Sequence, residues 1–158
     1  MSIPTDWVNI PITLDEINYA RYYKEVIDEN NGIEGEYFTD PDSYQGFVVE
    51  FALSKLFGFA RTHHTVNGTD KYDYMINDTI IDVKGGLCVN CRQYLHKTWV
   101  SYYVFGKVIG DYVIVYGWMN RDEVGKCRRK IKTAKYTPYY DIPIWKLHPM
   151  FGRVSKAK

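Results

Sequence analysis

The sequence predicts an α/β (α+β) domain with a central mixed β-sheet flanked by helices. Three observations carry that expectation. Two segments with apolar residues at helical spacing come first, and two pairs of apolar, β-branched stretches joined by tight turns follow them. The chain also has 158 residues, 46% of them hydrophobic and 25% charged, which suits one domain with an ordinary core and no need of disulfides.

Residues 13–30 read as the first helix. Thr13 caps it, and Glu16 three residues later completes a capping box. Ile17, Ala20, Tyr23, Lys24 and Ile27 line one mostly apolar face. The stretch NNGIEGEYFTDPD is rich in turn formers and ends that unit. Residues 43–57 read as the second helix, with Phe47, Val48, Phe51, Ala52 and Leu56 as its apolar stripe and Gly58 as its stop. Glu50 lies inside this apolar helix, an odd place for a carboxylate. Residues 72–76 and 79–84 read as a hairpin turning at Asn77-Asp78, a pair that tolerates left-handed backbone angles. Residues 98–108 and 111–119 read as a second strand pair turning at Gly110-Asp111. A short helix is expected at 120–125 and a short strand from Tyr140 to Ile144, broken by Pro143, within an otherwise irregular, basic end.

Charge is unevenly spread. Residues 1–50 hold 2 basic and 11 acidic side chains, whereas residues 121–158 hold 11 basic and 3 acidic ones. A basic C-terminal third suits a polyanion, and equally a solvated tail. No apolar run approaches the roughly 18 residues that span a bilayer. The N-terminus MSIPTDWVNI lacks the basic start and apolar core of a signal peptide. The expectation is an intracellular, cytoplasmic protein without a membrane partner, and 3 cysteines fit a reducing compartment.

The hairpin carries the chemistry. Alternate strand residues share a face, so Asp82 and Lys84 point one way, with Ile81 and Val83 pointing into a core on the other. A turn at Asn77-Asp78 pairs residues whose numbers sum to about 155, which sets Asp73 opposite Asp82 with Cβ atoms about 5 Å apart. Two carboxylates that close repel, and a hard divalent cation would cancel the repulsion while using their oxygens. Lys84 would then hold a water or a phosphate oxygen beside the metal. The plain alternative is a surface hairpin whose charges face solvent and pair with one another.

Asp73 followed by Ile81-Asp82-Val83-Lys84, with Glu50 on an upstream amphipathic helix, resembles the PD-(D/E)xK nuclease signature. Residues 112–124, YVIVYGWMNRDEV, resemble the later strand and helix of small, often phage-borne members. Tyr72 stands where the motif's proline usually precedes the first Asp. The resemblance spans roughly residues 44–125 and implies a restriction-endonuclease-like core in a single domain over 1–158. That domain divides into an acidic helical segment over residues 1–42, a catalytic core over 43–125 and a basic segment over 126–158.

The resemblance further implies a Mg²⁺-dependent endonuclease hydrolysing DNA phosphodiester bonds, with Mn²⁺ able to substitute, in a restriction, homing, resolvase or phage recombination role. Asp73, Asp82 and the Val83 carbonyl would hold Mg²⁺, and Glu50 a second metal or a metal-bound water. Lys84 would orient the attacking water or stabilise negative charge. Cutting both strands with one active site per chain implies a homodimer or higher homo-oligomer, with Tyr19, Tyr22 and Tyr23 of the acidic helix as candidate contacts. Five cations within seven residues, Lys126, Arg128, Arg129, Lys130 and Lys132, with Lys135 nearby, are the candidate DNA contacts. Tyr136, Tyr139 and Tyr140 either stack on bases or pack a sheet edge.

Two further features stay open. Cys88 and Cys91 with His96 and Cys127 have the residue types of a zinc site but lack a second close pair, and otherwise read as thiols near a turn. His63 and His64 either meet a phosphate or are plain loop residues. The rival function is a non-catalytic nucleic-acid-binding module on the same scaffold. A third is a metal-stabilised interaction protein with no nucleic acid.

Overall fold

The computed structural model describes residues 7–19, 22, 45–57, 74–76, 78–131 and 138–150. Its main sheet is built from β1 (Val8–Pro11), β2 (Tyr74–Ile76), β3 (Thr79–Lys84), β5 (Tyr102–Ile109) and β6 (Tyr112–Asn120). These five strands lie in the order β1-β6-β5-β3-β2. β3 and β5 run parallel and every other pair is antiparallel, so the sheet is mixed. A parallel pair needs a long crossover. Residues 85–101 supply it and contain β4 (Cys88–Asn90) and the helix α2 (Cys91–His96). β4 joins β8 (Tyr139–Asp141) and β7 (Arg128–Lys130) in a second, antiparallel sheet.

Helix α1 (Gln45–Phe57) covers one face of the main sheet. Val48, Val49, Ala52 and Leu53 fall at helical spacing and are buried against Ile10, Val83, Val104, Val113 and Val115. Each fully buried Val is worth about 1.5–3 kcal/mol, so packing outweighs capping in holding this helix. α1 approaches closely at Gly106, where a Cβ would lie 2.8 Å from Val49 Cγ1 and 2.9 Å from the Ile114 carbonyl oxygen. The β5–β6 ladder also shifts register between Phe105 and Gly106, leaving Tyr116 as the extra residue.

A second apolar cluster lies on the other face of the main sheet. Tyr103, Phe105 and Met119 meet Val89, Cys91, Val100, Val124, Tyr140 and Ile142 there. α3 (Arg121–Gly125) follows β6 directly and closes a capping box, with the Asn120 side chain and the Glu123 carboxylate each taking the other residue's amide.

Much of the expected layout is present. Tyr74 pairs with Ile81 and Ile76 with Thr79, the pairing sum of 155 that the turn at 77–78 requires. Asp78 takes the left-handed conformation, φ 67°. The Thr13–Glu16 box forms, with its two reciprocal bonds at 3.0 and 3.1 Å. Residues 14–19 are helical, and the rest of the expected first helix, Tyr22 apart, lies outside the described residues.

Three expectations are corrected. The third long strand starts at Tyr102 and not at 98, because Val100 turns back to donate to the Lys97 carbonyl at 3.3 Å. Among the described residues the basic end is not irregular, since β7 and β8 pair with each other and β8 with β4. The strand expected from Tyr140 to Ile144 is Tyr139–Asp141, and Pro143 instead precedes a 3-10 turn at Ile144–Lys146. The two thiols of the CxxC are free and follow the bend at 85–87, Cys88 exposed on β4 and Cys91 opening α2 from within the core. β1, α2 and β4 were not expected at all.

Candidate active site

Asp82 and Lys84 leave β3 on one face, and Val83 leaves it on the face that α1 covers. Asp82 is 4% exposed, one of two buried charged residues among those described. Lys84 Nζ lies 2.8 Å from Asp82 Oδ2. Oδ2 is buried and takes no hydrogen bond from any other group, so Lys84 is its partner. Lys84 also donates to Gln93 Oε1 at 3.1 Å, and Gln93 is exposed on α2. The lysine thus runs from a buried carboxylate to the solvent, which places its ammonium at the mouth of the site.

The site extends across the sheet. Asp82 stands beside Tyr103 in the β3–β5 ladder, so both side chains share a face. Burial pushes the Tyr103 phenol up to about 12, and the Asp82 charge adds to the rise while Arg121 opposes it. Arg121 is fixed from several sides. It donates to the Lys97 carbonyl at 3.0 Å and the Tyr94 carbonyl at 2.6 Å, and its guanidinium lies 3.8 Å from the Tyr94 ring centroid. α2 is itself anchored by the Asn90 side chain, which accepts from the amides of Arg92 and Gln93. The Cys91 amide reaches the Pro138 carbonyl at 2.9 Å and ties α2 to the second sheet.

Of the four expected catalytic residues, the structure brings Asp82 and Lys84 together. Glu50 is 2% exposed on α1, the helix of the opposite face. Asp73 lies outside the described residues, one position before β2. Among the described residues no three His, Cys, Asp or Glu side chains gather in a metal-sized group. Asp82 is the expected ligand that the structure places beside Lys84. Its buried carboxylate, met on Oδ2 by Lys84 alone, has the charge and the oxygen lone pairs that a hard cation takes as ligands.

The other candidates are scattered. Lys126, Arg128, Arg129 and Lys130 are all exposed on the outside of the described structure, while Lys132 and Lys135 lie outside the described residues. Alternation splits the run, with Arg128 and Lys130 on one face of β7 and Arg129 on the other. Lys130 is paired with Asp141 at 3.0 Å. Tyr140 belongs to the core, edge-on to Tyr94 at 5.0 Å, and so does not stack on bases. Tyr19 and Tyr22 are exposed, with Tyr19 edge-on to Phe51 at 5.3 Å, whereas Tyr23, Tyr136, His63 and His64 lie outside the described residues.

Gln93, Tyr103 and Arg121 were missed. Tyr103 was readable in principle, since a parallel strand beside β3 must place some residue next to Asp82. Gln93 and Arg121 were not, because their partners are fixed by the crossover. No described helix is long and apolar enough to cross a membrane. The chain matches no protein-family model, no curated protein and no solved structure.

Proposed function

We propose that this chain is a Mg²⁺-dependent endonuclease that hydrolyses DNA phosphodiester bonds, built on a restriction-endonuclease-like core. The observation that carries the reading is the buried Asp82 carboxylate ion-paired to Lys84, whose ammonium stands at the mouth of the site. The order of elements supports it: an amphipathic helix bearing Glu50, a tight hairpin, an apolar-Asp-x-Lys strand, then glycines. Asp82, with Asp73 and the Val83 carbonyl, would hold Mg²⁺, which when bound supplies Lewis-acid activation of a water and of the phosphoryl oxygen. Lys84 keeps a cation where negative charge grows on the phosphate. Gln93 holds that ammonium from the solvent side, and Arg121 holds Tyr103 against Asp82.

One observation favours the non-catalytic binding module instead. Lys84 is already engaged by Asp82 and Gln93, as in a purely structural ion pair.

The test is cleavage of supercoiled plasmid, linear duplex, single strands and a four-way junction, each in Mg²⁺, Mn²⁺ or EDTA. Metal-dependent cutting is expected, with Asp82→Ala and Lys84→Ala each losing at least about 100-fold while keeping a native circular-dichroism spectrum. Mg²⁺ should also raise the Tm of the wild type and leave Asp82→Ala unmoved. A folded wild type that cuts no substrate in either metal, yet binds DNA as its variants do, would leave the binding module as the answer.

A further inference from the structure

A cavity of about 640 Å³ opens beside the second sheet, with Met119 in its lining and Trp145 and Lys126 among its other walls. Trp145 is 81% exposed, although an indole is among the side chains that gain most from burial. Its backbone is nonetheless fixed. The 3-10 turn Ile144–Lys146 is closed by the Lys146 amide on the Pro143 carbonyl at 3.0 Å, and Leu147 packs into the core. The ring is therefore held in water on a firm support.

The charge around the ring is chosen by pairing. Lys126, Arg128 and Lys146 line the cavity, and among the described residues no ion pair engages them. The two acids of the lining are committed elsewhere. Asp141 is paired with Lys130 at 3.0 Å, and Glu123 is held by His148 at 2.8 Å and by the Asn120 amide at 3.0 Å. What the cavity offers a ligand is thus one flat aromatic face and three cations.

We infer that this cavity takes an unpaired base of single-stranded nucleic acid, stacked on Trp145, with its flanking phosphates on Lys126, Arg128 and Lys146. A duplex hides its base faces in its own stack, so an isolated indole gains little from it, whereas any unpaired base presents a π-face. The placement also fits the candidate site. Asp82, Tyr103 and Met119 stand side by side on three neighbouring strands and share one face. Strands lie about 4.8 Å apart, so the cavity wall at Met119 is roughly 10 Å from Asp82. That is about three base steps of a B-form strand, fewer when a strand is extended. The link between the stacked base and the cut phosphate rests on the nuclease reading. The stacking itself does not.

The experiment is fluorescence anisotropy in EDTA, with the full chain and a labelled oligo-dT of about 12 nucleotides, within the span such grooves cover. A hairpin duplex of similar length serves as the second probe. Trp145→Ala should weaken oligo-dT binding about tenfold and leave the duplex nearly unchanged, with Trp145→Phe restoring most of the loss. An oligo-dT affinity equal in wild type and Trp145→Ala overturns the inference, as does equal loss on both probes or no single-strand binding by the wild type. A ring that serves protein contact gives the first of these results. Because no metal is present, the outcome is independent of cleavage: selective loss in a protein that cuts nothing keeps the subsite and removes the nuclease, and the reverse pattern does the opposite.

Discussion

At the scale of single residues, the candidate site depends on how β3 and β5 place polar groups in an apolar sheet. Tyr103 is the clearest case. It is 2% exposed, beside Asp82, and its phenol is pushed from 10.0 to about 12 by burial first and by the Asp82 charge second. The unfolded chain ionises this group near its ordinary value, so the fold keeps the full benefit of the neutral phenol below pH 10 and loses it as pH rises from 10.0 through about 12. Tyr103→Phe has nothing to ionise there. Urea unfolding at several pH values should show wild-type stability falling more steeply than that of the variant across this window. Tyr116 and Tyr140 are raised by burial too, but both proteins keep them, so the difference isolates Tyr103. Parallel curves would show that the Tyr103 hydroxyl ionises freely and is not sealed against Asp82. The neighbourhood of Asp82 was half legible in the sequence. The Asp-x-Lys alternation gives the shared face directly, whereas Arg121 acts through the carbonyls of Tyr94 and Lys97, which no local pattern brings to it.

At the scale of elements, what the sequence displayed were the units with local rules. The hairpin register follows from a two-residue turn and strand alternation, and both capping boxes follow from a spacing of three residues. β1, α2 and β4 follow no such rule. α2 has six residues, too few for a periodic stripe, and stands because Asn90 caps it and Pro138 from a distant segment takes its first amide. β4 and β7 are three residues each, and the Arg-Arg-Lys of β7 has no strand-like alternation. The meeting of α1 with β5 gives an element-scale prediction. Gly106→Ala should destabilise by about 1–3 kcal/mol, since the new methyl meets Val49 and the Ile114 carbonyl. In a double-mutant cycle with Val49→Ala, removing the side-chain obstacle should produce a favourable coupling above about 0.5 kcal/mol. Full recovery is not expected, because the carbonyl stays in place. Additive effects would mean that α1 does not set the space above Gly106.

At the scale of the whole molecule, the main sheet separates two layers that differ in charge. On the α1 side, Lys55 is committed to Glu16 at 3.1 Å, and the Glu16 carboxyl, which burial pushes up, is held below its ordinary value by the Thr13 amide and by Lys55. On the other side, the second sheet and the 3-10 turn carry Lys126, Arg128 and Lys146. The sequence foretold this asymmetry only as a basic end, and folding splits the run so that some of it serves internal pairing, as Lys130 does with Asp141. Counting cations in the sequence therefore overstates how many meet a polyanion. Salt dependence measures the number that do. Each phosphate contact adds about 0.7 to the slope of log affinity against log salt for a single strand. Lys126→Ala combined with Arg128→Ala should reduce that slope by roughly 1.4 on oligo-dT. Lys55→Ala, which removes the same kind of charge from the opposite layer, should leave it unchanged, and so should Lys130→Ala if its partner keeps it occupied. A slope that falls equally for Lys55→Ala would mean that the chain attracts nucleic acid through net charge alone, with no face selected by the fold. A fall confined to Lys126 and Arg128 assigns the strand to the cavity side, the side on which Asp82 leaves β3.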